Sequence, residues 1–156
     1  MVGLTTIKAF GTAVREARWS ELRDVFAAQA ALLGAQLVLI TQPRGTFSVA
    51  ADSGAISPAF DDQRLLAERL ARAVLRAARY GVFRPRCLAR AIALSRLLSA
   101  HGVEGHSIRI GVARTGGKFV AHAWIERGTT VLGDSAAHTR TFAPLTNVRI
   151  GKEFFA

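Results

Sequence analysis

Apolar positions change their spacing along this chain, and the changes divide it into helical and extended parts. Over 4–18, Ile7, Phe10, Val14 and Ala17 recur three or four residues apart, the period of one helix face. Ser20 suits an N-cap, so the pattern predicts a second helix from there through about 39. Residues 41–60 contain Pro43, Gly45, Ser53, Gly54, Ser57 and Pro58, and read mainly as linker with a short strand at 46–50. Asp61 or Asp62 then caps a further helix that stops near Gly81. In it Leu65, Leu66, Leu70, Val74 and Tyr80 are interleaved with Arg64, Arg69, Arg72, Arg76 and Arg79, which form its solvated side.

Another helix follows Pro85, a residue that fits just before or inside a first helical turn. Leu88, Ala91, Ile92, Leu94 and Leu98 keep helical spacing up to His101-Gly102, where glycine suits the C-terminal cap. From Gly105 the period shortens to two. Residues 106–112 predict a strand, Thr115-Gly116-Gly117 a turn, 119–126 a second strand and 129–132 a third. Val120, His122 and Trp124 share one face of the second strand, and Phe119, Ala121, Ala123 and Ile125 the other. A three-residue loop Arg127-Gly128-Thr129 would pair Glu126 with Thr130 and set His122 opposite Asp134. A last edge strand fits 147–150. Helices followed by a small antiparallel sheet predict an α+β fold, with an N-terminal helical segment and linker over 1–60 and a core over 61–156, together one compact unit. No repeat or low-complexity tract interrupts it.

At 156 residues, half of them apolar, the chain can bury a proper core, which argues against disorder. The longest apolar stretch, 25–40, is broken by Gln29, Gly34 and Gln36 and falls short of the ~20 residues a spanning helix needs. It also starts behind Glu21 and Asp24, too late for a signal peptide. A buried or surface-docked helix is expected, and weak association with a membrane or a membrane-bound partner stays open. A single cysteine excludes an internal disulfide and a cysteine-rich zinc pattern, which fits a reducing cytoplasm. The net charge of +10 comes mostly from arginine and attracts acidic partners. Few aromatics lie among the charges, and neither zinc-finger spacing nor an aromatic RNA-binding strand is present, so no specific nucleic-acid partner is expected. His101 should meet the end of its own helix. His106 and His138 read as surface residues without partners at ligand spacing, so no metal and no cofactor is assigned; Glu126 reads as an exposed strand-end charge.

Chemistry concentrates at Cys87, His122 and Asp134. A thiol attacks a carbonyl well only when something favours or generates the thiolate, and a helix N-terminus and an imidazole do both. Cys87 falls in the first turn of the helix after Pro85, and no Ser, Thr, Asp or Asn immediately before it caps the free N–H groups. Those groups can hold a developing oxyanion. Thiol, imidazole and carboxylate in this order make a nucleophile, base and orienter. Each has a simpler reading alone: a packed cysteine, a hydrogen-bonded structural histidine, a turn residue after a strand. Trp124 reads as a core or cleft-wall aromatic before a substrate-stacking one. Arg86 and Arg90 flank the thiol and read equally as substrate or thiolate contacts and as solvated charges.

The run Pro85-Arg86-Cys87-Leu88-Ala89-Arg90-Ala91-Ile92-Ala93-Leu94, then Leu97-Leu98, His101-Gly102-Val103, Ile110-Gly111-Val112, Phe119-Val120-Ala121-His122-Ala123-Trp124-Ile125-Glu126 and Gly133-Asp134 resembles the lasso-peptide leader peptidases. That family has the transglutaminase-like, papain-related fold. The resemblance implies a Cys87–His122–Asp134 triad that removes the leader from a ribosomal lasso precursor, next to a threonine near the leader's end, with no cofactor. It also implies two partners: an asparagine-synthetase-like cyclase and, because residues 1–60 show no clear run of alternating strands for leader recognition, a separate small leader-recognition protein. Transfer of the acyl group to an amine, as a transglutaminase performs it, uses the same triad, and a non-catalytic binding module would keep the same fold.

Overall fold

A computed structural model describes residues 4–41 and 63–145, with side chains from Trp19 onward. The order is α1 (Leu4–Thr41), α2 (Arg64–Tyr80), α3 (Cys87–Ala100), β1 (His106–Thr115), β2 (Lys118–Arg127), β3 (Thr130–Leu132), a single helical turn α4 (Ala136–Thr139) and β4 (Ala143–Pro144). The four strands form one antiparallel sheet in the order β3-β2-β1-β4. The α+β architecture expected from the sequence is the observed one.

Helix α1 corrects the expectation of two N-terminal helices, because it runs unbroken through Ser20. Its contacts with α2 outweigh the capping preference of one serine. Ala28, Leu32 and Ala35 are fully buried, while Asp24 pairs with Arg69 at 2.9 Å and Glu21 with Arg76 at 3.0 Å. The continuous helix also lengthens the apolar stretch to Trp19–Thr41, 23 residues, which by length and composition is enough to cross a membrane. One stripe of it is core; Trp19, Leu22, Phe26, Leu33, Leu37 and Ile40 lie on its exposed side. The expected caps Asp61 and Asp62, the strand at 46–50 and the edge strand at 147–150 fall outside the described residues.

Helix α2 shows the expected two-sided pattern, with Arg64, Arg69, Arg72, Arg76 and Arg79 exposed. Its inner face is made mainly of small residues, Ala67, Ala71, Ala73 and Ala77 around Leu70 and Val74, which lets it approach its neighbours closely. Leu65 and Tyr80 are exposed beside the arginines. Gly81 ends the helix in an extended conformation. A Cβ there would lie 1.9 Å from Gln29 Oε1 and 2.3 Å from the Ala77 carbonyl oxygen, so close approach and not a left-handed turn requires glycine.

Helix α3 is apolar almost all round and correspondingly buried. Leu88, Ala89, Ala91, Ile92, Ala93, Leu94, Leu97 and Leu98 are all core residues, packed against α1 and α2 and against β1 and β2. It ends at His101, whose Nδ1–H donates to the Leu97 carbonyl at 2.8 Å, and Gly102 takes the left-handed conformation at φ 68°. His106 is half-buried, joining α3 to β1 through Ser95 Oγ at 3.1 Å and the Val103 carbonyl at 2.8 Å.

Strands β1 and β2 form the expected hairpin across Gly116-Gly117, with Gly111 opposite His122 and Arg109 opposite Trp124. The next hairpin differs from expectation by one residue. Its loop is Gly128-Thr129, so Arg127 pairs with Thr130 and Glu126 with Val131. The buried Arg127 fixes that end. Its Nε donates to the Glu104 carbonyl at 2.8 Å and its Nη2 to Gln63 Oε1 at 2.9 Å, acceptors that offset the burial lowering its pKa.

Gly111 explains a tight spot beside His122. A Cβ at this position would lie 2.8 Å from Phe142 Cβ, 2.9 Å from Trp124 Cη2 and 3.0 Å from the Ala143 carbonyl oxygen. Because two of these neighbours are backbone or near-backbone atoms, Gly111→Ala is expected to destabilise the fold by about 1–3 kcal/mol. Chemical denaturation checks this; an unchanged midpoint would show that the strand β4 edge yields freely.

Candidate active site

Cys87 is the first residue of α3, half-buried, behind an extended Arg86 that provides no side-chain cap. The first N–H to bond back along this helix is that of Arg90, to the Arg86 carbonyl at 3.1 Å. Earlier N–H groups in the turn have no intrahelical acceptor and are available to a ligand oxygen. Pro85 supplies the matching break in chain direction.

His122 comes from the centre of β2 and is buried, its ring roughly parallel to Trp124 at 6.0 Å. Its Nε2–H donates to Asp134 Oδ2 at 2.5 Å. This leaves Nδ1 as the nitrogen without a partner among the described residues. The expected route to the contact was cross-strand pairing, and that is corrected: β3 ends at Leu132, opposite Ile125, and Asp134 lies beyond the ladder. Gly133, at φ 73°, turns the chain instead and delivers the carboxylate to His122. A Cβ on Gly133 would also come within 3.2 Å of Leu94 Cδ2, so this turn passes close over α3.

Burial alone would raise the Asp134 carboxyl pKa. Hydrogen bonds from His122, from the Ser135 backbone N–H at 2.7 Å and from His138, together with attraction to the His122 charge, outweigh it and hold the carboxyl below its ordinary value. Asp134 is therefore a carboxylate across the neutral range and fixes which imidazole nitrogen carries the proton.

A small cavity is lined by Cys87, Arg90, Trp124, Gly133 and Asp134 among others. An open groove beside it is lined by Arg90, His122, Asp134 and His138, with Glu68 and Arg72 of α2 on its far side. Leu75, Arg90, Leu132, Gly133 and Asp134 are common to both. No hydrogen bond between Cys87 and His122 is among those of the described residues. Arg86 is exposed and Arg90 half-buried, so of the two flanking arginines Arg90 is the one that lines both spaces. Trp124 is buried, lines the Cys87 cavity and donates its indole N–H to Glu126 Oε1 at 2.8 Å. Glu126 is accordingly no exposed strand-end charge: it is half-buried and also accepts from Arg109 Nε at 3.0 Å.

The sequence reading missed two residues here. His138 is exposed, as expected, yet its Nδ1 lies 3.2 Å from Asp134 Oδ1 and its ring meets that of His122 edge-on at 4.8 Å. Phe142 packs 5.0 Å from His122 and 5.2 Å from His138. The four-residue spacing of Asp134 and His138 was the available signal, but it is helical spacing in a segment that the pattern left unassigned.

A family model for the transglutaminase-like superfamily matches residues 31–147. The chain belongs to that superfamily. Its members include cysteine peptidases and acyltransferases, and the match spans Cys87, His122 and Asp134. No curated protein and no solved structure matches the chain.

A carboxyl held below its ordinary pKa contributes stability that is present above the unfolded value and lost as pH falls through the folded one. The stability advantage of the native chain over Asp134→Asn is therefore expected to persist down to roughly pH 4 and to shrink below it, as measured by denaturation at a series of pH values. An advantage independent of pH in that acidic range would show that the carboxylate charge contributes nothing.

Proposed function

We propose that this chain is a cysteine peptidase that removes the leader from a ribosomal lasso-peptide precursor. The observation that carries the reading is the His122–Asp134 hydrogen bond at the edge of the cavity that Asp134 shares with Cys87. Its lasso-specific part rests on the resemblance of the motifs from Pro85 to Asp134.

In the proposed reaction Cys87 Sγ attacks the scissile carbonyl and His122 Nδ1 takes the thiol proton. The oxyanion is met by N–H groups in the first turn of α3. His122 then protonates the leaving amine, a thioester remains on Cys87, and water releases the leader acyl group. Asp134 keeps the proton on Nε2 and stabilises the imidazolium. In this reading Arg90, which lines the cavity, contacts the substrate, and Trp124 forms one wall. A separate small recognition protein presents the leader, and the cyclase closes the ring afterwards.

Incubating full-length precursor with the purified chain, with and without the recognition protein, tests this by mass spectrometry of the products. Cleavage is expected to accelerate when the recognition protein is added. Cys87→Ala should abolish it, His122→Ala should nearly do so, and Asp134→Asn should retain a reduced rate; the combined losses should not multiply. Full maturation by Cys87→Ala would overturn catalysis and favour a binding module. The superfamily match supports a second reading, transfer of the thioester acyl group to an amine. A cross-linked product in place of two peptides would favour it.

A further inference from the structure

The proposed triad makes no use of His138, although its imidazole adjoins both of the other polar groups in the groove. We propose that His122, Asp134 and His138 form a binding site for a divalent transition-metal ion of the zinc type, and that an ion bound there blocks the imidazole as a base. The site stands on the geometry alone; the blocking consequence rests on the peptidase reading.

The three donor atoms lie within 4.8 Å of one another, and the widest separation must close by about 1 Å around an ion, a movement open to the exposed His138 side chain. A tetrahedral zinc ion with bonds of about 2.0–2.2 Å spaces its ligand atoms about 3.3–3.6 Å apart. His138 Nδ1 already stands 3.2 and 3.4 Å from the two Asp134 oxygens. The His122 Nε2 to Asp134 Oδ2 contact of 2.5 Å must open by about 1 Å to admit the ion. Two imidazoles and one carboxylate are the donor set that suits zinc, and they leave its fourth position open to water.

The ligands are also held in advance. Ser135 donates its N–H to Asp134 Oδ1 at 2.7 Å and accepts the His138 N–H on its hydroxyl at 3.3 Å, which fixes the turn carrying both residues. Phe142 backs both histidine rings. His138 is exposed, so an ion can reach it from solvent. Arg72 and Arg90 line the same groove and oppose a cation, whereas Asp134 and Glu68 contribute the opposite charge there.

Binding at Nε2 exchanges the two imidazole nitrogens. On His122 the Nε2 proton leaves that atom and Nδ1 takes up a proton from water; on His138 the Nδ1 proton leaves and Nε2 takes one up, so both rings stay neutral. His122 Nδ1 is the nitrogen required to accept the thiol proton, so the metal-bound chain has no base for Cys87.

The site is tested with zinc alone on Cys87→Ala protein, where the thiol takes no part, by competition with a chromophoric chelator. One ion per chain is expected. His138→Ala or His138→Gln, at an exposed position and checked for folding by circular dichroism, should weaken binding by about tenfold or more. Absence of uptake, or uptake unchanged in both folded variants, overturns the site. In the otherwise native chain, zinc should slow alkylation of Cys87, and His138→Ala should raise the zinc needed by about the same factor. Equal zinc sensitivity would place the ion on the thiol and overturn the blocking role. Zinc uptake lost with His138 in a chain that cleaves no precursor would support the site and count against the peptidase reading alone.

Discussion

The burial of α3 is the constraint from which the candidate site takes its geometry. This helix is apolar on nearly every side and is enclosed by α1, α2 and the sheet, so it has one stable position. Its first residue is Cys87, and the thiol is therefore fixed by the packing of residues up to three turns away. Gly133 passes over the same helix against Leu94, which sets where Asp134 emerges. The thiol and the carboxylate are thus both referenced to one rigid body.

Small residues make that enclosure tight. Ala28, Ala35, Ala67, Ala77, Ala89 and Ala93 are buried at the junctions of the three long helices, where larger side chains would force the backbones apart. The arginines of α2 remain on the outside, partly paired with Glu68, Asp24 and Glu21. The Asp24 carboxylate paired with Arg69 is largely buried, whereas the more exposed of these pairs, those of Arg64, Arg72 and Arg76, contribute little stability individually. Their charge gives the molecule its basic surface and leaves Arg90, near the thiol, as the cation best placed to act locally.

On the sheet side, one face of β2 holds His122, Trp124 and Glu126 in sequence, each tied to something different: a carboxylate, a neighbouring acid, an arginine across the strand. Space for this row exists because Gly111 stands opposite His122 and leaves room for Phe142 and the Trp124 ring. The Ile110-Gly111-Val112 motif therefore has a steric reason, as the turn residue Gly133 has a conformational one.

Much of this was legible in the chain itself, because it depends on local periodicity and on residues with special backbone behaviour. The helix opening at Cys87 after Pro85, its end at Gly102, the Gly116-Gly117 hairpin and the alternation that directs His122 are all consequences of neighbours in sequence. What tertiary structure decided were the contacts between segments. Packing on α2 carried α1 through Ser20 despite its capping preference, a two-residue loop shifted the last hairpin by one, and the turn at Gly133 brought Asp134 to His122 by a different route from strand pairing. His138 joined them only because a single helical turn folded back over the sheet, and no pattern of spacing along the chain records where such a turn will come to rest. Periodicity fixes the direction of a side chain relative to its own element; only the packing of elements fixes what that side chain meets.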